Sequence, residues 1–119
     1  MVAGVGGSAA PGGTGSIADM AGIFAALGDP TRATLLDRLV ADGRGTATSL
    51  TAVTDISRQA VDRHLRVLAE AGIVESRREG REVVYGVHPQ TLARSAEWLA
   101  RLGRVWESRL MDIKLEAER

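Results

Sequence analysis

The apolar positions keep a helical period from Ile17 to about Ala71, switch to alternation, and then return to a helical period. Met20, Ile23, Phe24 and Leu27 fall at helical spacing, and Gly28 ends this first helix. Asp29-Pro30-Thr31-Arg32 restarts the chain, because Asp29 is a good N-cap and Pro30 suits the first helical position. Leu35, Leu36, Leu39 and Val40 form the apolar stripe of a second helix, which Asp42-Gly43-Arg44-Gly45 stops. Thr46 to Thr54 reads as a short helical piece with Leu50 and Val53 inward. Asp55-Ile56 makes a tight turn, and Ser57 caps a helix running from about Arg58 to Ala71. One face of that helix is Val61, Leu65 and Leu68; the opposite face is Gln59, Asp62, Arg63 and Arg66. Gly72 serves as its C-terminal cap.

Beyond Gly72 the period drops to two. Ile73–Arg78 and Arg81–Val87 flank Glu79-Gly80, a hairpin turn signal, and Val83, Tyr85 and Val87 alternate on one face. Pro89 ends the hairpin and opens a last helix, roughly Gln90 to Glu116. Its Leu92, Leu99, Trp106 and Ile113 recur every seven residues, with Ala96, Leu110 and Ala117 four further on, a seam suited to another helix. The pattern predicts a mainly α chain with a small β-hairpin, in the order of a winged helix-turn-helix with a long C-terminal dimerisation helix. There is no internal repeat.

Residues 1–16 hold six of the fourteen glycines and no charge. Such a segment cannot bury enough surface to offset its ordering entropy, so a disordered Gly/Ala-rich tail is expected there. A phosphate-binding loop is not expected, since no strand precedes it and no Gly-Lys-Ser/Thr follows. Residues 17–119 are then expected to be one winged helix-turn-helix domain that includes the dimerisation helices.

Composition narrows the chemistry. The 119 residues are 45% apolar and 25% charged, enough for one modest core that oligomerisation would help. The absence of cysteine removes disulfides, thiolate metal sites and cysteine nucleophiles. With only His64 and His88, an all-histidine zinc site within one chain is excluded too, and no metal or other cofactor is expected. No apolar stretch approaches the ~20 residues of a spanning helix. The N-terminus lacks the positive region of a signal peptide. A cytoplasmic location is expected. No serine, histidine or aspartate sits in a nucleophile motif, so an enzyme is not expected.

Fifteen basic and fifteen acidic residues give zero formal charge, which argues against a protein that coats nucleic acid indiscriminately. Fourteen of the fifteen basic residues are arginine. A GC-rich genome produces the same bias, so position decides. From Ser57 to Arg81 six arginines stand against four acids, a local excess of two positive charges.

An amphipathic helix of this kind fits the major groove. Arg58, Gln59 and Arg63, following the Ser57 cap, are placed to reach base edges, and Arg66, a turn deeper, phosphate. Arg77, Arg78 and Arg81 at the hairpin tip suit phosphates or a narrow minor groove. Asp62 could accept from cytosine N4, but bare carboxylates repel phosphate. Pairing with Arg58 or Arg66, four residues away on either side, is the favoured role. His64, between the two faces, either donates to phosphate or is packed and hydrogen-bonded; His88 marks the strand-to-helix junction. Ser57, Arg58, Gln59, Asp62, Arg63, His64, Arg66, Arg77, Arg78 and Arg81 are thus the candidate contacts to double-stranded DNA. Leu92, Leu99, Trp106, Leu110 and Ile113 are the candidates for a homodimer seam. Trp98 and Trp106, eight apart and close to one face, make a core or dimer contact, or else wall an apolar pocket for a small-molecule effector. The rival to a DNA-binding regulator is a winged-helix module that binds protein through the same surface. Six arginines favour phosphate.

Several segments together carry a family resemblance: Phe24-Ala-Ala-Leu-Gly-Asp-Pro-Thr-Arg32, Ser57-Arg-Gln-Ala-Val61, His64-Leu-Arg-Val-Leu68, Ala71-Gly-Ile-Val74, Arg77-Arg-Glu-Gly-Arg81 and Tyr85. Over roughly residues 18–115 the chain resembles the ArsR/SmtB family of bacterial transcriptional repressors. The resemblance implies a homodimer on an inverted-repeat operator, released by a ligand or a metal. Many members sense metals through cysteine or histidine in the second helix of the motif, or through histidines and acids on the last helix. Here Ala47-Thr-Ser-Leu-Thr-Ala-Val53 has neither thiol nor imidazole, and the last helix has no histidine. Metal sensing at those sites is therefore not expected, and the pair Trp98 and Trp106 on the last helix resembles a cysteine-free, non-metal-sensing subgroup of the family. Asp62 stands where the family usually has Ser or Thr. Asp55 stands where Gly is common, and Asp tolerates the left-handed conformation.

Overall fold

The computed structural model describes residues 17–118; the tail expected over residues 1–16 lies outside the described residues. In chain order the elements are α1 (Ile17–Leu27), α2 (Pro30–Asp42), β1 (Gly45–Thr46), α3 (Ala47–Thr51), α4 (Arg58–Glu70), β2 (Val74–Glu79), β3 (Glu82–Val87) and α5 (Pro89–Ala117). This is a mainly helical winged helix-turn-helix with a three-stranded antiparallel wing, in the order β1-β3-β2, and a long C-terminal helix.

The helix ends follow local chemistry. Asp29 Oδ2 accepts from the Arg32 backbone N–H at 3.0 Å, and Pro30 opens α2 where no intrahelical donor is needed. Thr46 and Ser49 cap α3 reciprocally: each side-chain oxygen accepts the other's backbone N–H. Ser57 Oγ accepts from Ala60 N at 3.1 Å and starts α4. Gly72, at φ 77°, ends α4: its own N–H reaches Ala69 O and that of Ile73 reaches Leu68 O, both at 3.0 Å.

Met20 and Ile23 of α1, Leu35 and Leu39 of α2, Leu50 of α3 and Val61, Leu65 and Leu68 of α4 fill the core with Ile73 and Val74. The start of α5 is tied to the end of α4 by polar groups. Thr91 Oγ1 donates to Gly72 O at 2.6 Å, His88 N donates to Ile73 O at 2.8 Å, and Ser95 Oγ returns to Thr91 O at 2.8 Å. Thr91 and Ser95 are therefore buried where the heptad reading looked for apolar residues, and Ala96 is exposed.

The structure departs from the sequence pattern in the sheet and at several valines as well. The sheet has a third strand, β1, with Gly45 opposite Tyr85 and Thr46 opposite Val84. Two residues are too short to show a period. The hairpin turn is Gly80-Arg81, not Glu79-Gly80: Glu79 pairs with Glu82, and Gly80 takes the left-handed φ of 63°. Val83, at the wing tip beyond the core, is 38% exposed, whereas Val84 on the other sheet face is 4% exposed. Val40 and Val53 point outward, 58% and 46% exposed, because Leu35, Leu39 and Leu50 already fill the space beneath α2 and α3.

Gly45 is where backbone meets core most closely. A Cβ there would stand 2.9 Å from Leu39 Cδ2 and 3.4 Å from Leu50 Cγ, both on wholly buried side chains with no room to yield. Gly45→Ala is expected to cost about 1–3 kcal/mol in urea unfolding. Gly86→Ala, whose Cβ would meet nothing within 4 Å, is expected to stay within about 0.5 kcal/mol. Equal effects at the two sites would contradict this packing.

Candidate nucleic-acid interface

The local sequence that builds α4 also sorts its faces. Burying Val61, Leu65 and Leu68 turns Arg58, Gln59, Arg63 and Arg66 outward, and all four are exposed. Among the described residues none of these three arginines has an ion pair or side-chain hydrogen bond, so their donors are available to an outside acceptor. Ser57 is exposed at the start of the helix, its hydroxyl engaged as the cap.

Asp62 and His64 are half-buried and differ from their neighbours. The pairing of Asp62 with Arg58 or Arg66 is not formed among the described residues. Asp62 and Arg66 instead act on Tyr85 of β3. Burial, and then the Asp62 charge, push its hydroxyl above the ordinary tyrosine value, while Arg66 partly offsets them. His64 faces away from the open side of α4: Arg32 Nη1 stands 3.4 Å from its Nδ1.

The wing holds its arginines in two ways. Glu79 Oε1 accepts from Arg44 Nη2 and Oε2 from Arg77 Nε, each at 2.7 Å. These bonds, that of Arg44 first, hold the Glu79 carboxyl below its ordinary value. Arg78, one residue along β2 from Arg77 and so on the opposite sheet face, and Arg81 in the turn are exposed and make no such pair among the described residues. Arg44 is the residue that sequence reading missed: it lies 35 positions from Glu79, and only the pairing of β1 with β3 brings it to the wing.

Of the residues expected in a seam, Leu92 packs against the domain's own core, while Leu99, Trp106, Leu110 and Ile113 are exposed together with Leu102 and Val105. The two tryptophans do not share an environment. Trp98 is partly buried with its ring 5.7 Å from that of Phe24 on α1, and Trp106 is 61% exposed. Eight residues advance a helix by about 80° beyond whole turns, which separates them. Among the described residues no group of three or more His, Cys, Asp or Glu side chains is placed to hold a metal ion, and no helix is long and apolar enough to cross a membrane.

A family described as a helix-turn-helix domain matches residues 27–77. The transcriptional repressor SdpR of Bacillus subtilis (strain 168) is 31% identical over 80 residues, 67% of this chain and 88% of that repressor. An ArsR-like transcriptional regulator from Rhodococcus sp. RHA1 superposes with a TM-score of 0.75 at 40% identity, covering 82% of this chain and 91% of that one. This chain belongs to the ArsR family. It is therefore a winged helix-turn-helix transcriptional regulator, of a family that is not enzymatic, and membership implies DNA binding. The arsenic resistance transcriptional regulator ArsR1 of Pseudomonas putida shares 37% identity over 68 residues, 57% of this chain and 53% of that protein. This ArsR-family chain has no cysteine.

Two carboxylates beside the interface respond to acid. Asp29 is held below its ordinary value chiefly by the Arg32 backbone N–H, and Glu79 by its two arginines. A carboxyl lowered in the folded state stabilises fully above its unfolded value, and the gain is lost as pH falls through the folded value. Stability in urea is expected to decline from about pH 5 to about pH 3, and the double change Asp29→Asn, Glu79→Gln to flatten that decline slightly, since both half-buried carboxyls are still reached by solvent. An unchanged slope in the double variant would contradict the assignment.

Proposed function

We propose that this ArsR-family chain is a sequence-specific, double-stranded DNA-binding repressor that acts in the cytoplasm as a homodimer on an inverted-repeat operator. The observation that carries the reading is the two-faced α4: three side chains wholly buried, and three unpaired arginines with Gln59 on the open side. Arg58, Gln59 and Arg63 read base edges from the capped end that Ser57 defines, and Arg66 takes a phosphate. Arg77, Arg78 and Arg81, joined by Arg44, bind backbone beside the groove. The repressor sense follows the named activity of SdpR.

The dimer rests on α5. From Leu99 onward every described residue of this helix is exposed, and Leu99, Leu102, Trp106, Leu110 and Ile113 form an apolar strip too extensive for water on so small a domain. Phe24 against Trp98 joins α1 to that helix. A two-fold interface places two copies of α4 on successive half-sites, hence the inverted repeat.

Selection from a random duplex pool by the purified protein is expected to enrich an inverted repeat. Gln59→Ala and Arg63→Ala should shift the preferred sequence, each costing about 1–3 kcal/mol where the native side chain is bidentate to a base. Arg81→Ala should weaken all sequences alike and lower the salt slope by about one unit. If folded protein enriches no sequence, even at low salt, the surface is one for protein partners and the reading fails.

Sedimentation at micromolar concentration is expected to give twice the 12.6 kDa chain mass, and Trp106→Glu with Leu110→Glu to give a folded monomer. A wild-type monomer would remove the dimer from the proposal.

A further inference from the structure

Arg32 binds groups on two other helices, and none of them lies on the open surface of α4. Its Nε donates to Ala26 O at 2.6 Å and its Nη2 to Ala25 O at 3.4 Å, both carbonyls at the C-terminal end of α1. Its backbone N–H is the one that Asp29 caps. Its Nη1 lies 3.4 Å from His64 Nδ1 in the middle of α4. A guanidinium only donates, so His64 Nδ1 accepts and Nε2 carries the ring hydrogen. Asp29 Oδ2, 3.9 Å from the same Nδ1, is too far for a hydrogen bond and would need the opposite tautomer. One fork thus ties α1, the start of α2 and α4 together. α1 in turn meets α5 through Phe24 and Trp98.

We propose that Arg32 and His64 form a clasp that sets the position of α4 relative to α1, so that both are positioning residues for DNA recognition and His64 is not a phosphate contact. The inference rests on the DNA-binding reading above and deepens it. His64→Leu removes the acceptor at similar volume. His64→Asn returns an acceptor near the Nδ1 position. Arg32→Lys keeps the charge but replaces the fork by a point donor that cannot serve α1 and α4 at once.

Each variant is titrated on selected operator DNA over a range of salt, with circular dichroism as the folding control. Amide hydrogen exchange on α4 is followed in the DNA-free protein. His64→Leu is expected to weaken operator binding about tenfold with an unchanged salt slope, and His64→Asn to restore it to within about threefold. Arg32→Lys should weaken binding by a similar factor, and the Arg32→Lys, His64→Leu pair no further than the worse single change. Exchange on α4 should quicken in His64→Leu and return in His64→Asn. Operator binding that stays weak in His64→Asn while α4 exchange returns to the wild-type rate would make His64 a direct phosphate contact through Nε2 and overturn the clasp, because a neutral donor leaves the salt slope unchanged. Additive losses in the pair, or α4 exchange unchanged by His64→Leu, would overturn it too. The exchange arm decides the clasp even if the wild type binds no duplex, an outcome that would sink the DNA-binding reading alone. If Arg32→Lys does not fold, the His64 variants still decide.

Discussion

Everything at the interface depends on three side chains at one helical spacing. Val61, Leu65 and Leu68 are wholly buried, and a fully buried aliphatic side chain contributes about 1.5–3 kcal/mol relative to an exposed one. That burial fixes the rotation of α4 about its own axis. A helix rotated so as to expose Leu65 would bury arginine without a partner, which costs far more than it returns. The outward aim of Arg58, Gln59 and Arg63 therefore needs no interaction of its own. It follows from what the other face cannot give up.

The order of elements was legible because each boundary has a local chemical cause: Asp29 and Pro30, the Ser57 hydroxyl, the left-handed Gly43 and Gly72. What escaped was non-local. β1 is two residues long and exists only because β3 lies beside it. Arg44 and Glu79 meet across 35 positions through that pairing, and Arg32 and His64 across 32. Helical spacing suggested that Asp62 would pair within α4, yet its charge is felt by Tyr85 on the wing. A heptad count placed Leu92 and Trp106 in one seam. The fold divides them, with Leu92 on the core side of the Thr91–Gly72 anchor region and Trp106 far out along the helix.

That division bears on how so small a chain is stabilised. The 29 residues of α5 span about 43 Å, and only the first third touches the rest of the domain. A helix projecting alone would be held by its own backbone bonds and by pairs such as Arg104 with Glu97, which are worth little at the surface. Its apolar strip costs free energy in water and returns it only against a partner. In the homodimer reading, dimerisation is thus part of the folding of α5.

The zero net charge is compatible with DNA as a ligand once distance is considered. Glu107, Asp112, Glu116 and Glu118 lie about 27 Å or more along α5 from Pro89, several times the ~8 Å screening length at physiological salt. On the same helix Arg101, Arg104, Arg109 and Lys114 match them, so this distant stretch adds no net field at α4, and the formal offset lies in residues 1–56, where Asp19, Asp29, Asp37, Asp42 and Asp55 stand against Arg32, Arg38 and Arg44. Near the wing, Glu82 and Arg44 offset each other, so the excess of two positive charges counted from Ser57 to Arg81 stands. Glu79 does not simply subtract from it: its carboxylate holds Arg44 and Arg77 side by side on one sheet face. In the DNA-binding reading it gives up one unit of charge and holds two guanidinium groups near one position, which lowers the cost of ordering them on a phosphate. A regulator that must leave non-specific DNA easily is served by few, well-placed cations more than by many loose ones, because the salt-dependent, sequence-blind part of its affinity grows with the number of phosphates neutralised.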